Sequence, residues 1–298
     1  MLSLRDKPFA TVSWSLRALF AGLAVGCVLS CAVVAAPPAK GPGGRRAAPR
    51  REVEEDPRAE PKSGAEQKAH PLQEVMEFAA ESRNAVKDVK DYTAVFTKTE
   101  LVGNRQIKQV MEMKFREKPF SVYFRYLGGQ EKGREVIYVA GANNGNLLVH
   151  ETGIKAIAGT IPVRPNGREV MEENRYPITQ VGISNLIEKA YDIWETEQKY
   201  ASPDDVEVKF FPNAKLKEVS CEAVQITHKR PHRELKYSLS RVYFDKQTKL
   251  PVRAERYGWP RRQGDEPPLV EEYTYSNLKT NVGLKNADFD TRNPNYGF

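Results

Sequence analysis

The sequence predicts an α+β domain over residues 71–298, built on one curved antiparallel β-sheet with two helices. Three observations lead there. From Tyr92 onward, apolar residues recur at every second position in short runs. Turns of Gly, Asn, Asp and Pro separate these runs, and such residues suit hairpins. Only two segments carry apolar residues at helical spacing, and nothing resembles a βαβ unit, so a parallel nucleotide-binding sheet is excluded.

Ahead of that domain, residues 1–35 have the layout of a secretory signal. Arg5, Lys7 and Arg17 lie in a polar start, an uncharged apolar run covers 18–34, and the small Ala35 and Ala36 follow. The run falls short of the roughly 20 apolar residues of a membrane span, and cleavage after Ala35 is the expected processing. Two other fates stay open: lipidation at Cys31 or Cys27, each behind a degraded lipoprotein box, or retention as an uncleaved anchor. Each delivers the chain to the periplasm or cell envelope, with membrane contact only through the signal, the anchor or the lipid. Residues 36–70 read as a disordered linker of Pro, Gly, Ala and charge, with Val53 the one β-branched residue. Such a stretch has too little apolar surface to offset the entropy of ordering. Its basic half (Arg45, Arg46, Arg50, Arg51) precedes an acidic one (Glu52, Glu54, Glu55, Asp56).

Charge and cysteine usage narrow the function classes. Of the net +7, residues 1–35 contribute +2 and residues 36–69 another +2, leaving +3 on the remainder. A mixed surface of that kind lacks the one-sided basic footprint of a nucleic-acid binder, so no nucleic-acid partner is expected. Once Cys27 and Cys31 leave with the signal, Cys221 remains alone and no intramolecular disulfide can form. In an alternating strand pattern, Cys221 reads as a small buried residue and not as a nucleophile.

Pro71 opens the first helix, where Leu72, Val75, Met76, Ala79 and Val86 form one stripe. Strands follow. Met111, Met113 and Phe115 alternate with charged residues; Val122, Phe124 and Tyr126 alternate with Tyr123 and Arg125; then come residues 136–139 and 147–149. Residues 151–177 are interrupted by six Gly and Pro residues and are too long for an ordinary hairpin loop, a length that points to function or mobility. Ile183, Leu186, Ile187, Ala190 and Trp194 then share the face of a second helix. Further strands are predicted at 206–210, 218–228, 234–244, 251–257 and 269–275.

Three passages together carry a resemblance. The first is Met113-Lys114-Phe115-Arg116-Glu117-Lys118-Pro119-Phe120 with Gly133-Arg134-Glu135-Val136-Ile137-Tyr138. The second is Asn174-Arg175-Tyr176-Pro177-Ile178-Thr179-Gln180-Val181-Gly182-Ile183. The third runs from Tyr243-Phe244-Asp245 through Thr248-Lys249-Leu250-Pro251-Val252-Arg253, with Tyr273-Thr274-Tyr275 and Asn281-Val282-Gly283-Leu284 before Phe289. In these the domain resembles an exported bacterial family, the domain of unknown function numbered fifteen seventy-one. The third passage also resembles the end of the lipoprotein-carrier (LolA-like) superfamily. That likeness implies a half-barrel whose concave face is covered by the helices over an apolar cavity. It also implies a non-enzymatic protein that binds acyl chains, lipoproteins or regulatory partners. No ligand-contacting residue carries over, because no ligand motif matches residue by residue.

The candidate ligand wall is the apolar strand face of Met111, Met113, Phe115, Val122, Phe124 and Tyr126. Ordinary core under a helix explains the same pattern, and both readings stay open. Met171, Arg175 and Tyr176 form a second candidate, in which the Arg175 fork holds an anionic head group at a cavity mouth; the plain alternative pairs Arg175 with Glu172 or Glu173. His228 and His232 fall on a predicted hairpin tip among cations, which opposes a metal ion, so no metal or cofactor is expected. Acid pairs such as Glu271-Glu272 are adjacent on a strand and point to opposite faces. No nucleophile elbow, phosphate loop or zinc-protease motif occurs in the sequence. The expected role is therefore an exported binding protein for a lipid or lipidated partner. A tethered envelope protein–protein or sensor module is the alternative, and a hydrolase built from distant segments is the minority reading.

Overall fold

The computed structural model describes residues 69–262 and 264–298; the signal and nearly all of the linker predicted above lie outside the described residues. Helix α1 (Pro71–Ala85) starts as its sequence dictates. Pro71 fills the first turn, and the His70 ring accepts the Leu72 amide at 3.2 Å, which caps the helix. Its buried stripe, Leu72, Val75 and Ala79, faces inward.

Two antiparallel meanders follow. The first contains β1 (Asp91–Val102), β2 (Arg105–Arg116), β3 (Ser121–Tyr126), β4 (Glu135–Val139), β5 (Leu147–His150) and β6 (Thr160–Val163). After a short helix α2 (Arg168–Met171) and the long helix α3 (Ile183–Tyr200), the second contains five strands. These are β7 (Val206–Leu216), β8 (Val219–His228), β9 (Leu239–Asp245), β10 (Pro251–Tyr257) and β11 (Leu269–Thr280). All eleven form one antiparallel sheet in the order β6-β5-β4-β3-β2-β1-β11-β10-β9-β8-β7. The sheet is open, with β6 and β7 at its edges. Pro162 lies in β6, and Pro212 lies at a register shift in β7, so each edge holds a residue that cannot donate to a ladder.

The structure corrects several expectations. Residues 151–177 are not wholly irregular: they contain edge strand β6 and helix α2, which adds a third helix to the predicted two. The strand expected from 234 begins at Leu239, and the last strand runs on to Thr280. His228 is not on a hairpin tip. It follows Val224 and Ile226 on the inner face of β8 and is 5% exposed beneath α3, with Nε2 3.2 Å from Glu197 Oε1. His232 is the exposed one and stacks on Tyr200.

The core fills the concave face. Tyr92, Met113, Phe115, Val122, Ile187 and Trp194 are all buried there. Helix α1 packs on α3 and β7, where Phe78 meets Phe210 and Phe244 edge to face. The outer face is covered at one place by residues 284–298. Tyr296 stacks on Tyr123 at 4.1 Å, Phe289 packs against Tyr123 and Ile137, and Lys114 pairs with Asp288 at 2.7 Å. Glu135 accepts both the Tyr123 hydroxyl and the Gly297 amide, which pins the end of that segment. Cys221 is buried.

Candidate functional site: a cavity with one greasy and one charged wall

Strand parity builds the site. On β1 the inward positions read Tyr92, Ala94, Phe96, Lys98, Glu100, so one face changes from apolar to charged along its length. On β11 the inward positions are Glu271, Tyr273 and Tyr275, and on β10 they are Val252, Ala254 and Arg256. The register sets Glu100 directly opposite Glu271. Two carboxylates facing each other across a strand pair repel, and both are almost fully buried.

Cations and phenols from three directions resolve the conflict. Glu271 accepts from Arg256 Nη1 at 2.6 Å, Arg175 Nε at 3.0 Å, the Tyr176 hydroxyl at 3.0 Å and the Tyr237 hydroxyl at 3.3 Å. Glu100 accepts from Lys98 Nζ at 3.0 Å, the Tyr273 hydroxyl at 2.6 Å and the Arg175 amide at 3.1 Å. Lys98 also donates to Asn174. Burial pushes the Lys98 ammonium below its usual range against the pull of Glu100, and burial followed by the two carboxylates pushes the Tyr273 phenol far up. Burial opposes the charge of Arg256, but Glu271 with Tyr237 and Tyr176 outweighs it.

These contacts fasten residues 174–176 to the sheet and so hold the segment before α3 as a roof. Between roof and sheet lies a cavity of about 610 Å³. Its greasy wall is formed by Phe96, Met111, Phe124, Val136, Leu147 and Val149, with Ile161 and Val163 of β6 extending it. Its charged wall holds Lys98, Glu100, Tyr273, Tyr176 and Arg256. Arg134, paired with Glu151 at 3.0 Å and Glu173 at 2.9 Å, lies over Tyr126 at the rim. Among the described residues lining the cavity there is no Ser, Thr, Cys or His.

The predicted wall divides. Met111, Phe124 and Tyr126 line the cavity, whereas Met113, Phe115 and Val122 are packed into the core beside it; of the second candidate, Tyr176 lines the cavity. Strand parity puts all six on one buried face, and parity does not encode where helix α3 stops covering it. Met171 lies outside the lining. Arg175 is neither a free head-group fork nor a partner of Glu172 or Glu173: its guanidinium is engaged by Glu271 and, at 2.8 Å, by the Leu101 carbonyl. Sequence reasoning missed Lys98, Glu100, Arg256 and Glu271. The signal was present, since each is a charged residue at an inward strand position.

No helix among the described residues is long and apolar enough to cross a membrane. No curated protein matches the chain. Among solved structures it is similar to the Mycobacterium tuberculosis lipoprotein LppX, at 16% identity and TM-score 0.40 over 74% of this chain and 97% of that one. It is also similar to LprF from Mycobacterium bovis, at 11% and 0.40 over 72% and 96%. A LolA superfamily protein from Nitrosomonas europaea follows, at 11% and 0.28 over 74% and 97%. Likenesses this distant transfer no ligand and no residue role. The family model described as "Protein of unknown function (DUF1571)" matches residues 89–298, from just before β1 to the final residue, and the chain belongs to that family.

Proposed function

We propose that this protein is an exported cell-envelope binding protein that holds an acyl-chain-bearing molecule, a lipid or a lipidated partner, in the cavity beneath the roof. One observation carries the reading: an apolar strand face that continues past the helices and lines a cavity of about 610 Å³ instead of being filled. That size falls within the range of about 300–1,000 Å³ usual for small-molecule sites. A chain of methylenes suits the wall of Met111, Phe124, Val136 and Leu147, where each buried CH₂ contributes about 0.8 kcal/mol. The charged wall opposite suits a polar end. Its ions pair with one another, and among the described residues the lining holds no Ser, Thr or Cys, which supports holding over chemistry.

The test is native mass spectrometry and solvent extraction of the freshly purified full chain, beside Val149→Trp, which places an indole inside the greasy wall. Lipid masses on the wild type and their loss from the variant are expected. Equal lipid on both would overturn the reading, since the lipid would then sit elsewhere on the chain.

A further inference from the structure

The loop that joins β5 to β6 carries an unusual pair. Ile154 and Ile157 are 88% and 87% exposed, the most exposed large apolar side chains among the described residues. Both belong to a 3-10 turn, Gly153–Ala158. With three residues per turn, positions i and i+3 eclipse, so the two isoleucines project from the same side. Single exposed apolar residues are ordinary on a protein surface. Two at nearly full exposure on one side of a single turn are not explained that way.

The turn is also part of the cavity rim. Lys155, between the two isoleucines, lines the cavity, as do Glu151 just before the turn and Ile161 just after it. Gly153 (φ +62°) and Gly159 (φ +66°) bracket it in a backbone conformation that favours glycine, and a Cβ at either would meet nothing within 4 Å. These glycines therefore serve the path of the chain and not its packing: they turn it out of the fold and back again.

Charge indicates the occupant. From Thr152 to Arg168 the chain carries Lys155, Arg164 and Arg168 and no acidic residue. Arg168 is paired with Glu172 at 3.0 Å, while Lys155 and Arg164 have no ion pair among the described residues. Apolar side chains flanked by cations on long stems match the boundary between lipid head groups and acyl chains, where Ile inserts and Lys snorkels.

We propose that the Gly153–Ala158 turn docks the domain on an anionic lipid surface, with Ile154 and Ile157 inserted among the acyl chains and Lys155 at head-group level. This sets the rim of the cavity against the bilayer. It adds a membrane contact to those that the sequence confined to the first 35 residues. The docking rests on the binding role proposed above only for its purpose.

Hydrogen–deuterium exchange of the full chain tests it, read by mass spectrometry without vesicles, with phosphatidylcholine vesicles, and with vesicles of equal phosphatidylglycerol and phosphatidylcholine. Exchange in residues 152–160 is expected to slow several-fold with the anionic vesicles alone, and the slowing to vanish in Ile154→Ser/Ile157→Ser. Unchanged exchange there with anionic vesicles would overturn the proposal, as would protection that survives in the double variant. The two proposals fail separately: lipid retained by Val149→Trp sinks the cavity role and leaves docking standing, whereas an unprotected turn sinks docking alone.

Discussion

The Tyr92 hydroxyl accepts the backbone N–H of Ile183 at 3.2 Å, so a phenol on the first strand caps the helix that roofs the sheet. Tyr275 does the same for the Gly182 amide at 3.2 Å. Helix α3 has no side-chain cap of its own, and its first orphan donors are met from the sheet below. Gly182, at φ +123°, makes the approach possible, because a Cβ there would sit 2.9 Å from the Phe115 ring.

Tyr92→Phe is expected to cost about 1–3 kcal/mol, the usual penalty for a buried donor left without its acceptor. Gly182→Ala should cost more, since overpacking of about 1–3 kcal/mol adds to backbone strain of similar size. Urea unfolding of both variants checks the order; a smaller loss for Gly182→Ala would remove the close approach as its cause.

Glu271 is expected to be the most sensitive charged position. Glu271→Ala leaves the Arg256 guanidinium buried without its carboxylate, a change that costs about 3–5 kcal/mol. Replacing both residues with Met should recover only part of that loss: the buried Arg256 charge is gone, but Arg175, Tyr176 and Tyr237 still lack the acceptor they had in Glu271. Denaturation midpoints of the single and double variants decide it. Faster amide exchange over residues 174–176 in Glu271→Ala would show the roof coming loose.

Alkaline pH should unfold the protein through its phenols. Burial pushes Tyr126 and Tyr257 up to about 12, and Tyr92, Tyr273 and Tyr275 are also raised from the usual 10.0. A raised folded pKa means that the folded state keeps its proton longer. That stability is full below about pH 10 and is lost as pH climbs through about 12. Lys98 acts in the opposite sense, since its depressed folded pKa imposes a penalty that fades as pH rises through the depressed value and is gone above the usual 10.5. The phenols outnumber it. Thermal melts from pH 9 to 12, read with phenolate absorbance, should show the melting temperature falling above pH 10, with buried phenols ionising only as the chain unfolds. Ionisation well before unfolding would contradict the burial.

Filling the cavity should separate ligand capture from stability. Val149→Trp is expected to lower uptake of a fluorescent fatty acid at least tenfold while circular dichroism stays that of the wild type. Undiminished uptake would place the ligand outside the greasy wall.

The two-residue period made the sheet legible, because one buried face demands it. Met111 and Phe124 could be placed on that face, but their separation from Met113 and Phe115 depends on where α3 ends its cover, which no strand pattern encodes. Strand β6 was hidden by Pro162, a residue that argues against a strand unless the strand is an edge. The charged wall was hidden for another reason. Lys98 and Glu271 sit at inward positions that are normally apolar, and although Glu100 follows Lys98 on β1, the partners of Glu271 come from elsewhere: Arg256 by strand register and Arg175 from the segment before α3. Residues 284–298 gave no periodic signal at all, and their hold on Tyr123 depends on a strand more than 160 residues earlier.

The seam of the sheet lies between its earliest and latest strands. The Ser276 hydroxyl bonds the Val95 carbonyl across 181 residues, and no shorter path joins the two meanders within the sheet. Contacts so remote along the chain slow folding, since a very large loop must close before they reward it. Until residues 269–280 arrive, β1 and β10 are both bare edges open to pairing with other chains. Synthesis halted before Leu269 would thus yield two half-sheets prone to aggregate, and rapid capture of the nascent chain by a chaperone would matter more for this protein than for one whose sheet closes from neighbours in sequence.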